Sequence, residues 1–141
     1  YEISCSLVGS EMCIRDSDQR KQITLLEGDA VDVLQDLTET YDFVFMDSAK
    51  SKYIVFLPRI LELLEVGGVV VLDDIFQGGD VAKDIMEVRR GQRTIYRGLQ
   101  NLFHATLNHP DLTASLVPLG DGILMIRKNT ETVTLPDPSS F

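Results

Sequence analysis

The chain has 141 residues and a net charge of −9, enough length for one domain with a core of its own. An acidic balance of this size does not favour a nucleic-acid binder, whose surface must answer phosphate charge, although a local basic patch would still be compatible. The longest apolar run, Gly67–Leu72, is strand-sized and cannot cross a bilayer, so we expect a cytoplasmic protein without a membrane partner.

The first 17 residues stand apart from everything that follows. Ser6–Ser17 reads SLVGSEMCIRDS and has neither a helical nor a strand period. Back-translating Leu7–Asp16 as CTC GTG GGC TCG GAG ATG TGT ATA AGA GAC yields DNA resembling a transposase-type sequencing adapter. We therefore expect residues 1–17 to be non-native, with native sequence from about Asp18, and exclude them from fold reasoning. An ordinary disordered N-terminus is the alternative. Cys5 and Cys13 both lie in this segment, so the remainder, still acidic, supports no disulfide or thiol argument. The expected organisation is an adapter-like segment over 1–17, a partial domain over 18–129 and a flexible tail over 130–141.

From there the elements alternate. Ile23–Glu27 is a short β-type run ended by Gly28, and Asp29 can cap a short amphipathic helix over Ala30–Leu37. Tyr41–Met46 is nearly all apolar, as a strand buried on both faces reads. Ser51–Leu64 is helical, with Ile54, Leu57, Ile60, Leu61 and Leu64 on one face and a kink or late start expected at Pro58. Gly67-Gly68 should end that helix, and Val69–Leu72 is a second buried strand. A loop over Phe76–Asp80 and a polar stretch lead to a helix over roughly Thr94–Asn108, stopped by Pro110. Leu112–Leu116 and Ile123–Arg127 are strands joined by a tight turn through Pro118, Gly120, Asp121 and Gly122. The order β-α-β-α-β-α-β-β predicts an α/β doubly wound sheet, mostly parallel with one antiparallel strand.

Asp47 closes one buried strand, and Asp73 and Asp74 close the next. In a parallel sheet these ends share one edge, where α/β proteins bind their ligands. Three carboxylates there suit a hard cation such as Mg2+. A single aspartate after a strand more often caps the next helix, but an adjacent pair with a third on a neighbouring strand favours metal. Lys50, three residues past Asp47, can point into the same cleft and, relieved of a proton, serve as general base; a solvated surface lysine is the alternative. Arg89, Arg93 and Arg97 fall four apart and, on a helix, would form a basic stripe or simply a solvated face. His104 and His109 read as structural.

Gly28-Asp29-Ala30, the run YDFVFMD ending at Asp47, Lys50, Tyr53, Gly67-Gly68, Asp73-Asp74 and Pro118-x-Gly120-Asp121-Gly122 together resemble the cation-dependent, catechol-type O-methyltransferases. The resemblance covers about Ile23–Lys128. It implies a class I methyltransferase (Rossmann-like) fold and S-adenosylmethionine as cofactor. It implies metal ligation by Asp47, Asp73 and Asp74, a catalytic Lys50 working beside Asp47, and cofactor contacts from Gly28, Asp29, Ala30, Asp47 and Tyr53. The second acid of the pair is often Asn in that family; here it is Asp74. Within the family, the segments Leu72–Gly78, Asn108–Pro110 and Leu116–Met125 are similar to bacterial tRNA 5-hydroxyuridine methyltransferases. The implied acceptor is a hydroxyl held at the metal, on a tRNA wobble hydroxyuridine or a small phenol, and a homodimer of the full-length protein is compatible with it.

The chain departs from that family at its front. The first two strands, the E-x-G-x-x-x-G loop and the acid that holds the ribose are not among these residues. In the implied order 3-2-1-4-5-7-6 this leaves strand 3, Ile23–Glu27, without neighbours, so it should pair with Tyr41–Met46 or stay loose. Little methyl transfer is expected from this polypeptide by itself. Two other readings compete: a catalytically inactive interaction fragment, and a receiver-type phosphoacceptor domain, whose acidic pair and lysine occur in the opposite order.

Overall fold

The computed structural model describes residues 23–136, and the chain divides between Thr38 and Glu39 into two units. In the first, residues 23–27 form no strand. The strand expected over Ile23–Glu27 is therefore not formed: a run of β-formers becomes a strand only beside a ladder partner. Helix α1 spans Ala30–Asp36 and begins as expected, with the Asp29 carboxylate accepting from the Val31 N–H at 2.8 Å.

The second unit is built on four strands, β1 (Tyr41–Met46), β2 (Leu64–Leu72), β3 (Leu112–Val117) and β4 (Ile123–Lys128), in the order β1-β2-β4-β3. β1 and β2 are parallel, in register Phe43↔Val69 through Met46↔Leu72. β4 is antiparallel to both β2 and β3. Three strands therefore run one way and β4 the other, as the closing β-β pattern predicted. Two helices complete the unit, α2 (Tyr53–Leu63) and α3 (Arg93–Thr106).

The core lies on the sheet face that carries Val70, Leu72, Leu124 and Ile126, all fully buried. Leu57 and Leu61 of α2 and Leu99 and Leu102 of α3 are equally buried. Each such side chain contributes about 1.5–3 kcal/mol relative to exposure. α3 starts close to the chain before α2: a Cβ on Gly98 would stand 3.1 Å from the Ser51 Cα. Alternate residues point the other way, and on that face Phe43 and Phe45 are 57% and 53% exposed.

Two expectations around α2 are corrected. Pro58 neither delays nor ends the helix: it sits in the interior, because a short 3-10 turn over Lys50–Lys52 has already started the spiral. Gly67-Gly68 does not terminate it either. Leu64 turns extended, and β2 begins there directly. The glycines instead lie inside β2, where the register jumps from Tyr41↔Leu64 to Phe43↔Val69. Extra β2 residues are accommodated there with Gly67 at φ +87°, a conformation costly for any residue with a Cβ.

Candidate active site at the carboxyl edge

β1 and β2 end side by side, and the Asp73 N–H donates to the Met46 carbonyl at 3.0 Å, extending the parallel pairing by one residue. Asp47 on one strand and Asp73 and Asp74 on the other therefore leave the sheet at the same edge, as the sequence implied. Asp74 then takes φ +55°, a strained left-handed turn for a non-glycine residue, and redirects the chain.

Lys50 reaches this edge from the turn before α2. Its Nζ lies 3.2 Å from Asp74 Oδ2, and its side chain is 24% exposed. The lysine and the acidic pair, 24 residues apart in sequence, thus meet. Tyr53 stands behind them and is completely buried. Its hydroxyl accepts from the Ser48 N–H at 3.3 Å and shares its proton between the carbonyls of Asp73 (3.2 Å) and Met46 (3.4 Å). Burial pushes this phenol up to about 12. The Ser48 N–H opposes the shift, and the negative charges of Asp47, Asp73 and Asp74 add to it. Tyr53 joins the ends of β1 and β2 through backbone groups, a role its sequence position did not announce.

The three carboxylates suit a hard cation in kind, being oxygen donors with no thiol or imidazole among them. Their side chains are not drawn into one cluster. The Asp73 carboxylate accepts from the Asp74 N–H at 2.7 Å, and Asp74 faces Lys50. Among the described residues no three acidic, histidine or cysteine side chains form a group that could hold a metal ion. Gly28, Asp29 and Ala30 belong to the first unit, where Asp29 acts as the cap of α1.

The loop after Asp74 is clamped by the turn between β3 and β4. Ile75 and Phe76 donate their N–H groups to the carbonyls of Gly122 (3.0 Å) and Asp121 (2.8 Å), and the Gly78 N–H donates to the Asp121 carboxylate at 2.8 Å. The Phe76 ring lies against Gly122, where a Cβ would stand 2.4 Å from it. The Gly-Asp-Gly motif is thus a clamp on the loop as well as the hairpin turn its composition suggested.

The arginine stripe does not form. Arg89 precedes α3, and Arg93 is turned back to hold the polar stretch, donating to the carbonyls of Val88 (3.1 Å) and Met86 (3.3 Å). His109 is structural: Nδ1 accepts from the Asp111 N–H at 3.1 Å, and Nε2 donates to the Thr134 carbonyl at 2.9 Å. That bond ties part of the expected tail; residues 137–141, like the adapter-like segment 6–17, lie outside the described residues.

The model of a family described as O-methyltransferase matches residues 6–129, nearly the whole chain. The chain belongs to this O-methyltransferase family. The match takes in residues 6–17, the adapter-like segment. Caffeoyl-CoA O-methyltransferase 5 of Nicotiana tabacum is 34% identical over 116 residues, covering 77% of this chain and 48% of that protein. The chain thus spans about half the length of the curated relatives it matches. Among solved structures, the Streptomyces achromogenes O-methyltransferase TomG, in complex with SAM, aligns with a TM-score of 0.73 at 20% identity, covering 91% of this chain and 60% of that one. An O-methyltransferase from Bacillus cereus in complex with SAH aligns with a TM-score of 0.71 at 19% identity, covering 90% and 61%. Such likeness shows the fold, and the O-methyltransferase chain is accordingly α/β with the mixed sheet of class I methyltransferases. No described helix is long and apolar enough to cross a membrane.

Proposed function

We propose that this O-methyltransferase chain carries the metal and acceptor side of an S-adenosylmethionine-dependent, divalent-metal-dependent active site that methylates a ring hydroxyl. The observation that carries the reading is the meeting of Lys50 with Asp74 at the shared carboxyl edge of β1 and β2, beside Asp47 and Asp73. Asp47, Asp73 and Asp74 would hold Mg2+ or another divalent cation once the Asp73 carboxylate leaves the Asp74 N–H and the Asp74 carboxylate turns from Lys50. When bound, the cation would act as a Lewis acid that eases loss of the hydroxyl proton and fixes the oxygen in place.

The chain's own residues supply the rest. Lys50 stands where it can take the acceptor's proton at Nζ once its own is released. Tyr53 positions: by bonding the backbones of Met46, Ser48 and Asp73 it fixes the two strand ends relative to each other. Gly28, Asp29 and Ala30 are assigned to the adenine side of the cofactor on sequence resemblance, and Asp47 and Tyr53 to cofactor contacts on the same ground. The acceptor is a phenol, as the name of the tobacco relative suggests for that protein, or 5-hydroxyuridine in tRNA, which the segments Leu72–Gly78 and Leu116–Met125 favour. The acidic balance and the broken arginine stripe make a small or single-nucleoside acceptor the more economical of these for the chain alone.

Calorimetric titration of the chain with Mg2+ or Mn2+ tests the reading. Binding should weaken on the order of tenfold or more in Asp73→Asn and in Asp47→Asn, the scale seen even for groups behind metal ligands. No cation binding, or binding indifferent to both substitutions, would refute the metal-side assignment.

A further inference from the structure

Asp74 does two things at once where β2 ends. Its N–H donates to the Asp73 carboxylate at 2.7 Å, and its own carboxylate accepts from the Lys50 ammonium at 3.2 Å. Both contacts hang on one backbone turn at φ +55°, a conformation that strains an aspartate. Two of the three acids assigned to a cation are thus held by donors of the chain itself. A carboxylate that already faces an ammonium has its charge answered and attracts a second cation less strongly.

The lysine has a second place to go. It also lines a cavity of about 480 Å³, whose wall includes the acids Asp80, Glu87 and Asp121 and no apolar side chain. Asp80 is paired with Lys83, and Asp121 accepts from the Gly78 N–H. Glu87 accepts from the Asp84 N–H and has no cationic partner among the described residues. A lysine stem is long and flexible, so the ammonium can sit on Asp74 or turn into this acidic cavity.

We infer that Lys50 is a displaceable latch on the cation site: its ammonium occupies the Asp74 carboxylate until a divalent cation takes that carboxylate, and only then is Lys50 released toward the cavity. The inference rests on the metal-side reading above and adds a competition within it. Loading of the site and release of Lys50 become one event, because a ligand shifts an equilibrium toward the state it binds better. The latch requires an acid at position 74. An asparagine would tolerate the turn and keep an oxygen, but its neutral amide carries no charge to hold the ammonium. The pair is partly exposed, 24% and 48% for its two side chains, so the latch is weak. A pair of that class is formed for somewhat more than half to about five-sixths of the time, and it weakens a competitor about two- to sixfold.

Calorimetric titration of the chain with Mg2+ at neutral pH tests this. Lys50→Met should bind Mg2+ about two- to sixfold more tightly than wild type. Lys50→Gln, equally uncharged, should show the same gain, and Lys50→Arg, which keeps the charge, should stay near wild type. Lys52→Met removes the same charge from an exposed lysine of the same turn that makes no ion pair among the described residues, and it should leave the affinity unchanged. In an Asp74→Asn background most of the gain from Lys50→Met should vanish, since the partner of the latch is gone. Thermal unfolding checks that each variant is folded. Equal affinity in wild type, Lys50→Met and Lys50→Gln overturns the inference, as does an equal gain from Lys52→Met or a gain undiminished in the Asp74→Asn background. The two readings fail differently: Mg2+ that binds wild type and the Lys50 variants alike removes the latch and leaves the metal side standing, whereas Mg2+ that binds none of them refutes both.

Discussion

Tyr53 is buried completely, yet all its hydrogen-bonding capacity is used on main-chain groups at the ends of β1 and β2. Removing the hydroxyl in Tyr53→Phe should cost about 1–3 kcal/mol at neutral pH, since the backbone groups of Ser48 and Asp73 lose a partner away from bulk water. The pH dependence gives this residue a signature. Its ionisation is pushed up to about 12 by burial and by the neighbouring aspartates, against 10 for an ordinary phenol. Both states of the protein keep the phenol neutral below pH 10, so its contribution is intact there. Between pH 10 and 12 the unfolded chain releases the proton first, and stability is lost as pH rises. The gap between wild type and Tyr53→Phe should therefore shrink by on the order of 2 kcal/mol across that window, as read by urea unfolding at each pH. Titrations of the other tyrosines and the lysines are common to both proteins and cancel.

At the scale of elements, the turn between β3 and β4 holds the loop that leaves β2. Gly122 has φ +84° and no room for a Cβ against Phe76, whereas Gly120 has φ +59° with open space around it. Gly122→Ala should destabilise by about 1–3 kcal/mol more than Gly120→Ala, because both add backbone strain and only the first adds a clash. Thermal unfolding of the pair separates the two effects. Lys128 is a second hidden contact between elements. It is 4% exposed, and its ammonium donates to the carbonyls of Leu61 (2.7 Å) and Leu64 (2.8 Å), capping the C-terminus of α2 from the end of β4. Lys128→Met should cost about 2 kcal/mol in denaturant unfolding, since it leaves two buried carbonyls unpaired. Sequence pattern ended the last strand at Arg127, and an ordinary-looking lysine beyond it gave no sign of this cap. Most helices and strands were legible, because apolar periodicity reports burial, but Ile23–Glu27 forms no strand and the apolar run of β1 is buried on one face only, with Phe43 and Phe45 exposed. The bulge at Gly67-Gly68 was not, since two glycines after a helix ordinarily signal its end.

For the molecule as a whole, one sheet face is packed under α2 and α3, while the other presents Phe43, Phe45 and Met125, the last 41% exposed. Adjacent exposed aromatics on a strand at the edge of the described sheet favour self-association. Sedimentation velocity should show concentration-dependent association of the chain, reduced when Phe43 and Phe45 are both replaced by Thr, which keeps strand preference while removing the apolar surface. A wild-type chain that sediments as a monomer at every concentration would contradict this. The net charge of −9 opposes association only at long range and is screened by salt, so raising ionic strength should strengthen it.

Sequence by itself determined the alternation of elements from Tyr41 onward, the mixed sheet with one reversed strand, and the place of Asp47, Asp73 and Asp74 at strand ends with Lys50 close behind. Periodicity and strand-end position are local properties, and a parallel sheet carries its strand ends to one edge whatever the loops do. Only the tertiary structure decided which groups meet there and how they are used. Lys50 lies on Asp74, the Asp73 carboxylate turns to its own neighbour's N–H, Asp121 clamps Gly78, and Gln77 keeps a buried oxygen without a partner. Apart from the Asp73 contact, which is between neighbours, these depend on contacts between residues 15 to 43 positions apart, and all lie where the backbone turns at positive φ at Asp74, Gln77 and Gly78. Local pattern carries no record of either, because the energy that selects them comes from packing the β3–β4 turn and the loop after β2 against each other.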